Sequence, residues 1–212
     1  MKSSELLDSA ATPAKVEAAP PAEPPAELPG AATILRRLSI SAIIVVADLW
    51  SKSAVFAWLE GLQDRGQLVR DMHGHQRHVL LEGGDGWLTF MLSRNPGAAF
   101  GQLDSFPWFL VLGRGAAALF LVWLIARTPR TRPWFAAALV LVLGGALGNL
   151  YDNLFLDFPD DAHPFGLVRD FIDVYFRVFD WHFPTFNVAD SCISVGAVLL
   201  LLSSFKSEKK PA

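Results

Sequence analysis

The chain has 212 residues, of which 52% are hydrophobic and 18% are charged, and its formal net charge is −3. This balance is too apolar for a soluble domain of this length and favours a membrane protein. The single cysteine, Cys192, excludes an internal disulfide, and the basic residues are not clustered as a nucleic-acid-binding surface requires, so we expect no nucleic-acid partner.

The N-terminal segment is rich in Pro, Ala and Glu and contains no apolar run. Such a composition cannot bury enough surface to offset the entropy of ordering. We therefore predict three parts: a disordered cytoplasmic tail over 1–32, a four-helix transmembrane domain over 33–205 and a basic cytoplasmic C-terminus over 206–212.

Four apolar segments follow the tail, each close to the roughly 20 residues that cross a bilayer core of about 30 Å. They run over 38–59, 107–126, 134–154 and 187–204. Basic residues lie before the first span, between the second and third, and after the fourth. By the positive-inside rule, both termini and the middle connection are cytoplasmic, and the two longer loops face outward.

The two outer loops predict different structures. The first contains RHVLLEGGDGWLTFMLSRN, two apolar runs around a Gly-rich turn, which predicts a β-hairpin. The second contains VRDFIDVYFRVFDWHFPTF, whose aromatic residues suit the level of the lipid headgroups and predict a short interfacial helix. We thus expect an all-α membrane protein with four transmembrane helices, a small extracytoplasmic hairpin in the first outer loop and an interfacial helix in the second.

Three histidines, His73, His75 and His78, lie close together in the first outer loop. Their spacing matches no tight zinc pattern. We therefore expect no metal site and no cofactor.

The first span carries two charges, Asp48 and Lys52, four residues apart. This spacing places them on one helix face. A lone charge in the membrane interior costs roughly 3 kcal/mol, so an ion pair is favoured over a catalytic role. We interpret the pair as structural support that positions the first helix.

Two further carboxylates lie at the ends of the last two spans. Asp152 closes the third span in GGALGNLYDNL, and Asp190 opens the fourth in FNVADSCISVG. Because the third span runs outward and the fourth returns, both reach the same outer boundary of the bilayer. Two carboxylates in a partly desolvated site do not both ionise readily, so one acts as a base and the other as an acid.

Asparagines accompany these carboxylates and the small-residue loop NPGAAFGQL. Asn149 and Asn187 each lie three residues before one of the two aspartates, and Asn95 opens the loop two residues before Gly97. Side-chain amides both donate and accept hydrogen bonds, so they can hold a peptide backbone where water is scarce. We predict that these four residues bind a polypeptide substrate, whose amide is attacked by a water that the carboxylate pair activates.

Five stretches, DLWSK, RNPGAAFG, GGALGNLYDN, VRDFIDVYF and FNVADSCISVG, occur in this order along the predicted topology. Together they resemble the lipoprotein signal peptidases of bacteria, also called signal peptidase II, over about residues 34 to 204. The resemblance implies an aspartic endopeptidase that cleaves the signal peptide from a prolipoprotein, just before a cysteine carrying diacylglycerol. It places the catalytic pair on Asp152 and Asp190, and the family's polar positions and first-helix motif on the residues named above.

The same resemblance implies where the protein acts and on what. We expect a multi-pass protein of the bacterial inner membrane, with its active site on the periplasmic side, diacylglyceryl-prolipoprotein substrates and contacts with membrane lipids. We also expect a monomer. The chain departs from the family at Asn153, where Arg is usual, and in a longer second outer loop. Arg169 is a candidate to replace the missing charge.

Other classes remain open at the level of sequence. A presenilin-type protease also uses two aspartates, but its second motif, Gly-x-Gly-Asp, is absent from the chain. A small transporter could place paired acids at a membrane boundary, and a non-enzymatic membrane scaffold would need no such pair. Replacing either aspartate discriminates these classes, because a peptidase would leave its precursors uncut.

Overall fold

The structure, a computed structural model, describes residues 27–70, 75–81, 87–95, 107–156 and 165–206. Most of the predicted tail, residues 1–26, and the last six residues lie outside this set. The elements in chain order are α1 (Ala31–Asp64), β1 (Val69–Arg70), β2 (Gln76–Leu81), β3 (Leu88–Asn95), α2 (Pro107–Arg127), α3 (Pro133–Phe155), β4 (Val168–Phe176), β5 (Trp181–His182) and α4 (Val188–Lys206).

Four helices of the described chain are long and apolar enough to cross a membrane. They coincide with the four spans predicted from hydropathy, which confirms that part of the expected architecture. α1 continues past its predicted span to Asp64, and it ends just before Gly66, whose φ of 67° is the left-handed conformation that terminates helices. Large apolar side chains such as Trp50 and Leu119 stay 72% and 75% exposed, as expected of surfaces that face lipid.

α3 is the central helix of the bundle and packs against the other three. Its glycines make this approach possible. A Cβ added at Gly145 would lie 2.4 Å from the carbonyl oxygen of Ala189 on α4, and one at Gly148 would lie 2.5 Å from Oδ2 of Asp48 on α1. Small residues therefore bring α1 and α4 against the same stretch of α3, where the polar side chains of the last turns meet.

The outer loops together form one antiparallel sheet in the order β1-β2-β3-β4-β5. The hairpin expected in the first outer loop is present as β2 and β3, with Arg77 opposite Met91 and Val79 opposite Thr89. Its turn lies outside the described residues. β4 of the second outer loop then pairs with β3, with Phe90 opposite Ile172. The protein is therefore a four-helix membrane protein with a small sheet and is not all-α.

The interfacial helix expected in the second outer loop was wrong. Its residues form β4, a 3-10 turn over Arg177–Phe179 and the short strand β5. The stretch VRDFIDVYF is rich in β-branched and aromatic residues, which favour a pleated and half-buried surface. The outer edge of β3 also offers backbone groups that an added strand satisfies, and a helix would leave these groups unpaired within the fold.

A buried carboxylate ties the strands of the sheet together. Asp173 on β4 accepts hydrogen bonds from Arg77 at 2.9 Å and from Thr89 at 2.8 Å, and its other oxygen lies 3.1 Å from Nδ1 of His182. These partners come from β2, β3 and β5. The sheet in turn contacts the outer end of α1, where Arg94 lies over the ring of Phe56 at 5.4 Å. The start of β4 is thereby fixed beside the ends of α1 and α3.

Candidate active site

The first turn of α4 is organised by a reciprocal cap. The backbone N–H of Asp190 donates to Oδ1 of Asn187 at 2.9 Å, and the backbone N–H of Asn187 donates to Oδ2 of Asp190 at 3.3 Å. This is the geometry of a capping box, in which residues three apart satisfy the free N–H groups of a helix start. The sequence FNVAD thus fixes the orientation of Asp190 from within its own helix.

The amide of Asn187 also points at a second carboxylate. Its Nδ2 donates to Oδ1 of Asp170 at 2.6 Å and to Oδ1 of Asn149 at 3.2 Å. Nδ2 of Asn149 in turn donates to Oδ1 of Asp190 at 2.8 Å. Two asparagines from two helices therefore hold Asp170 and Asp190 in one polar cluster.

Asp170 lies at the start of β4 and is 2% exposed. Burial, followed by the charge of Asp190, raises the pKa of Asp170 to about 7. Hydrogen bonds from Asn95 and Asn187 and the charge of Lys52 act in the opposite direction without cancelling this rise. With its pKa at about 7, the carboxyl of Asp170 can carry a proton up to about neutral pH, beside the partly exposed Asp190.

Asp152 is buried among cations. Its Oδ1 accepts from Nη2 of Arg169 at 2.9 Å, and its Oδ2 accepts from the backbone N–H of Arg169 at 3.0 Å and lies 3.4 Å from Nζ of Lys52. Both of its oxygens are therefore occupied by basic partners. Asp152 connects to Asp190 through Lys52 and Asn149. Its direct partner, Arg169, is the residue next to Asp170, so Asp152 anchors the start of β4.

Asp48 and Lys52 form the ion pair that their spacing predicted, at 2.7 Å, and both side chains are fully buried. Nζ of Lys52 also donates to Oδ1 of Asn149 at 2.8 Å. Oδ1 of Asp48 accepts from the backbone N–H of Ala189 at 2.8 Å. The pair joins α1 to α3 and to the start of α4, just behind the two asparagines.

The sequence-predicted substrate residues fall into three groups. Asn149 and Asn187 lie between the carboxylates, as described above. Asn95, at the end of β3, hydrogen-bonds Asp170 through its side chain. Gly97 lies outside the described residues. The structure therefore brings three of the four predicted residues to one cluster.

A family model described as Signal peptidase (SPase) II matches residues 40–206. The chain belongs to the signal peptidase II family. Among its relatives, a lipoprotein signal peptidase of Pseudomonas fluorescens (strain Pf0-1) is 47% identical over 126 residues, which are 57% of this chain and 68% of the relative. A lipoprotein signal peptidase of Alteromonas mediterranea is 34% identical over 182 residues, 84% of this chain and 85% of the relative.

The fold also matches a solved structure, described as a bacterial membrane enzyme determined by the in meso method at 2.3 Å resolution. The TM-score is 0.62, and the match covers 88% of this chain and 97% of that chain at 24% identity. The match supports the architecture of four helices with a small sheet.

The departure from the signal peptidase II pattern at Asn153 has a structural counterpart. Nδ2 of Asn153 donates to the carbonyl oxygen of Gly166 at 2.7 Å, and its Oδ1 accepts a hydrogen bond from Arg114 of α2. The charges of Asp190 and Asp170 act on the guanidinium of Arg114. Arg169, the candidate replacement named from the sequence, pairs instead with Asp152. Arg114 of α2 therefore supplies a positive charge near the carboxylates of Asp170 and Asp190 in this signal peptidase II member.

Asp170 is the functional candidate that sequence reasoning missed. It lies in a stretch interpreted as an interfacial helix, where an acidic residue would face the headgroups. The available signal was the alternation of VRDFIDVYF, since a strand assignment would have put Asp170 on the same face as Val168, which is 2% exposed. A carboxylate on a buried strand face is rare unless it has a partner or a function.

Proposed function

We propose that this protein is an aspartic endopeptidase that removes the signal peptide from bacterial prolipoproteins, with Asp170 and Asp190 as its catalytic pair. The function follows from membership of the signal peptidase II family and from relatives that are lipoprotein signal peptidases. The observation that supports this choice of pair is the side-chain amide of Asn187, which donates to the carboxyl of Asp170 and accepts from the backbone N–H of Asp190. It holds Asp170, whose pKa is raised to about 7, next to Asp190.

The chemistry requires one proton on the pair. Asp190, partly exposed at the start of α4, acts as the base and takes a proton from water as the water attacks the scissile carbonyl. Asp170 donates its proton to the carbonyl oxygen and then assists the departure of the amine. Two carboxylates that share a site and titrate apart are suited to these two roles.

The surrounding residues position the pair and the substrate. In this proposal Asn149 and Asn187 orient the carboxylates, and Asn95 and Gly97 bind the backbone of the substrate where β3 leads into the first outer loop. Asp152, first considered a catalytic residue, takes a positioning role in this proposal, because its two oxygens are occupied by Arg169 and Lys52. Asp48 and Lys52 support the site from α1.

The four apolar helices and the bacterial relatives support a multi-pass protein of the inner membrane. We propose further that both termini are cytoplasmic and that the site opens at the periplasmic boundary, where a diacylglyceryl group on the substrate cysteine would remain in lipid. Cleavage then occurs just before that cysteine. The transmembrane peptidase domain over 33–205 acts as a monomer without a cofactor in this proposal.

The test compares three substitutions in cells that lack their own lipoprotein signal peptidase. Asp170→Asn and Asp190→Asn should leave prolipoprotein uncut, with cleavage per folded enzyme reduced by about 10²- to 10⁴-fold, the usual contribution of a general acid or base. Asp152→Asn should lower the amount of folded protein more than the cleavage per folded molecule. Cleavage is followed by the mobility of a lipoprotein precursor, and folded protein by size-exclusion chromatography in detergent.

The opposite pattern would restore the pair first inferred from the sequence. If folded Asp152→Asn cleaves no precursor while Asp170→Asn cleaves normally, the assignment of Asp170 is wrong and Asp152 takes its place. If the intact and well-expressed chain leaves the precursor uncut in these cells, the peptidase function itself fails.

A further inference from the structure

A cavity lies at the end of the bundle away from the aspartates, between the starts of α1 and α3. Its volume is about 820 Å³, within the range of about 300–1,000 Å³ that is common for ligand sites. The lining contains the guanidinium groups of Arg36, Arg37 and Arg130. It also contains apolar side chains, which include Ile40 and Val140. The cavity is therefore basic and apolar at once.

The positive charge of this cavity has no acidic counterpart in its lining. Among the described residues that line it, none is Asp or Glu. Arg37 is 7% exposed, and its Nη1 donates to the carbonyl oxygens of Ile125 at 3.0 Å and Thr128 at 2.6 Å at the end of α2. Arg37 is therefore fixed in place, and the charges of Arg36 and Arg130 act on it.

We propose that this cavity binds the headgroup of an anionic phospholipid, with its phosphate between Arg36 and Arg130 and its acyl chains along Ile40 and Val140. Three like charges gathered at a membrane boundary favour an anion, and basic pockets between transmembrane helices bind anionic headgroups. The apolar part of the lining distinguishes a lipid from a free phosphate, which would leave those side chains in contact with water. The site is independent of the carboxylate pair and of the proposed proteolytic function.

The experiment measures lipid adducts of the full chain by native mass spectrometry in detergent. Dioleoyl phosphatidylglycerol is the anionic probe, and dioleoyl phosphatidylethanolamine is the zwitterionic comparison. In one variant Arg36→Gln and Arg130→Gln are combined. In the matched control Arg127→Gln and Arg132→Gln remove the same charge from the same end of the bundle, outside the cavity lining. Arg37 is left intact, because its hydrogen bonds hold α1 against α2.

The wild-type chain should prefer the anionic lipid, and the cavity variant should bind it about thirtyfold more weakly, since each basic side chain near an anionic headgroup contributes about fivefold. The control variant should change by less than about twofold. Ala137→Phe, which adds an aromatic ring to an exposed residue of the lining, should also weaken the anionic adduct without changing the charge.

Three outcomes would overturn the proposal. If the cavity variant and the control lose binding of the anionic lipid equally, the attraction comes from charge spread over the surface and not from this cavity. Equal binding of both lipids by the wild type would show that the cavity does not select anions. Anionic adducts that form only after removal of residues 1–26 would assign the cavity to that segment of the chain.

Discussion

Two buried carboxylates of this protein differ in the chemistry of their neighbours. Asp152 is surrounded by the cations of Lys52 and Arg169, while Asp170 is hydrogen-bonded by the neutral amides of Asn95 and Asn187. Burial and the charge of Asp190 raise the pKa of Asp170 to about 7, and its amide partners offset only part of that rise.

The pKa of Asp170, raised to about 7, predicts a pH dependence of cleavage. Asp170 can donate its proton only below this value, so the rate should fall as the pH rises through about 7. Asp190→Asn removes the neighbouring charge that raises this pKa, so the pKa of Asp170 should fall in that variant. The measurements are a pH–rate profile of the wild type and a ¹³C NMR titration of labelled aspartate carboxyls in both proteins.

A matched control for this prediction is Asp64→Asn, which removes an exposed carboxylate from the end of α1. It should leave the profile unchanged. A carboxyl of Asp170 that titrates near the ordinary value of 3.8 would contradict the proton assignment, and so would a titration unaffected by Asp190→Asn.

Sequence reasoning reached most of this cluster but not its centre. The sequence could bring Asn149 together with Asn187 and Asp190, because the third span runs in one direction and the fourth returns. The end of the third span and the start of the fourth therefore lie at the same boundary. Asp170 could not be placed in this way, since its position depends on the pairing of β4 with β3, whose closest described residues are separated by the whole of α2 and α3. The pairing of Arg169 with Asp152 depends on the same strand pairing, although the sequence had named Arg169 as the residue that could replace the missing charge.

At the scale of elements, the helices were predictable and the second outer loop was not. A span of about 20 apolar residues has one stable solution in lipid, because the backbone must satisfy its own hydrogen bonds. VRDFIDVYF is a stretch of nine residues, and alternation over so short a stretch is a weak basis for separating a strand from a helix. This stretch forms a strand because it pairs with the edge of β3, and the local sequence does not show that this edge is nearby.

Close packing of α3 against α4 predicts that Gly145→Ala destabilises the protein. The new Cβ would lie 2.4 Å from a backbone oxygen of α4, so the helices must separate. Overpacking of this kind costs about 1–3 kcal/mol, and each kcal/mol lowers the Tm of a chain of this size by about 2–4 °C. Cleavage should fall as well, because the displaced segment of α4 carries Asp190. Thermal melts in detergent and precursor cleavage measure the two effects.

Gly113→Ala on α2 is the control, since a Cβ there meets nothing within 4 Å. Alanine favours a helix over glycine by about 1 kcal/mol, so the Tm should stay constant or rise. A Tm for Gly145→Ala equal to that of Gly113→Ala would show that α3 and α4 do not depend on this contact.

At the scale of the whole molecule, the two ends of the bundle carry opposite chemistry. One end gathers arginines around the cavity between α1 and α3, and the other gathers the aspartates beneath the sheet. In the proposed orientation the basic end lies in the cytoplasm, as the positive-inside rule predicts. The same asymmetry supplies a direct test of the proposed orientation.

Reporter fusions should report opposite sides for the two ends. A fluorescent protein fused after Lys206 should fluoresce, because it folds in the cytoplasm. Alkaline phosphatase fused after Arg70, at the end of β1, should be active, because it folds in the periplasm. A fluorescent fusion after Thr128, between α2 and α3, should match the fusion at Lys206. The reverse pattern at these three sites would place the aspartates on the cytoplasmic side.

Asn187 both caps α4 and bridges Asp170 to Asp190. α4 is the last of the four helices to leave the ribosome. An incompletely synthesised chain therefore lacks Asn187, whose amide holds Asp170, and Asp190, whose charge raises the pKa of Asp170. In the proposed mechanism, the polar cluster is therefore complete only after the final helix has been synthesised and inserted.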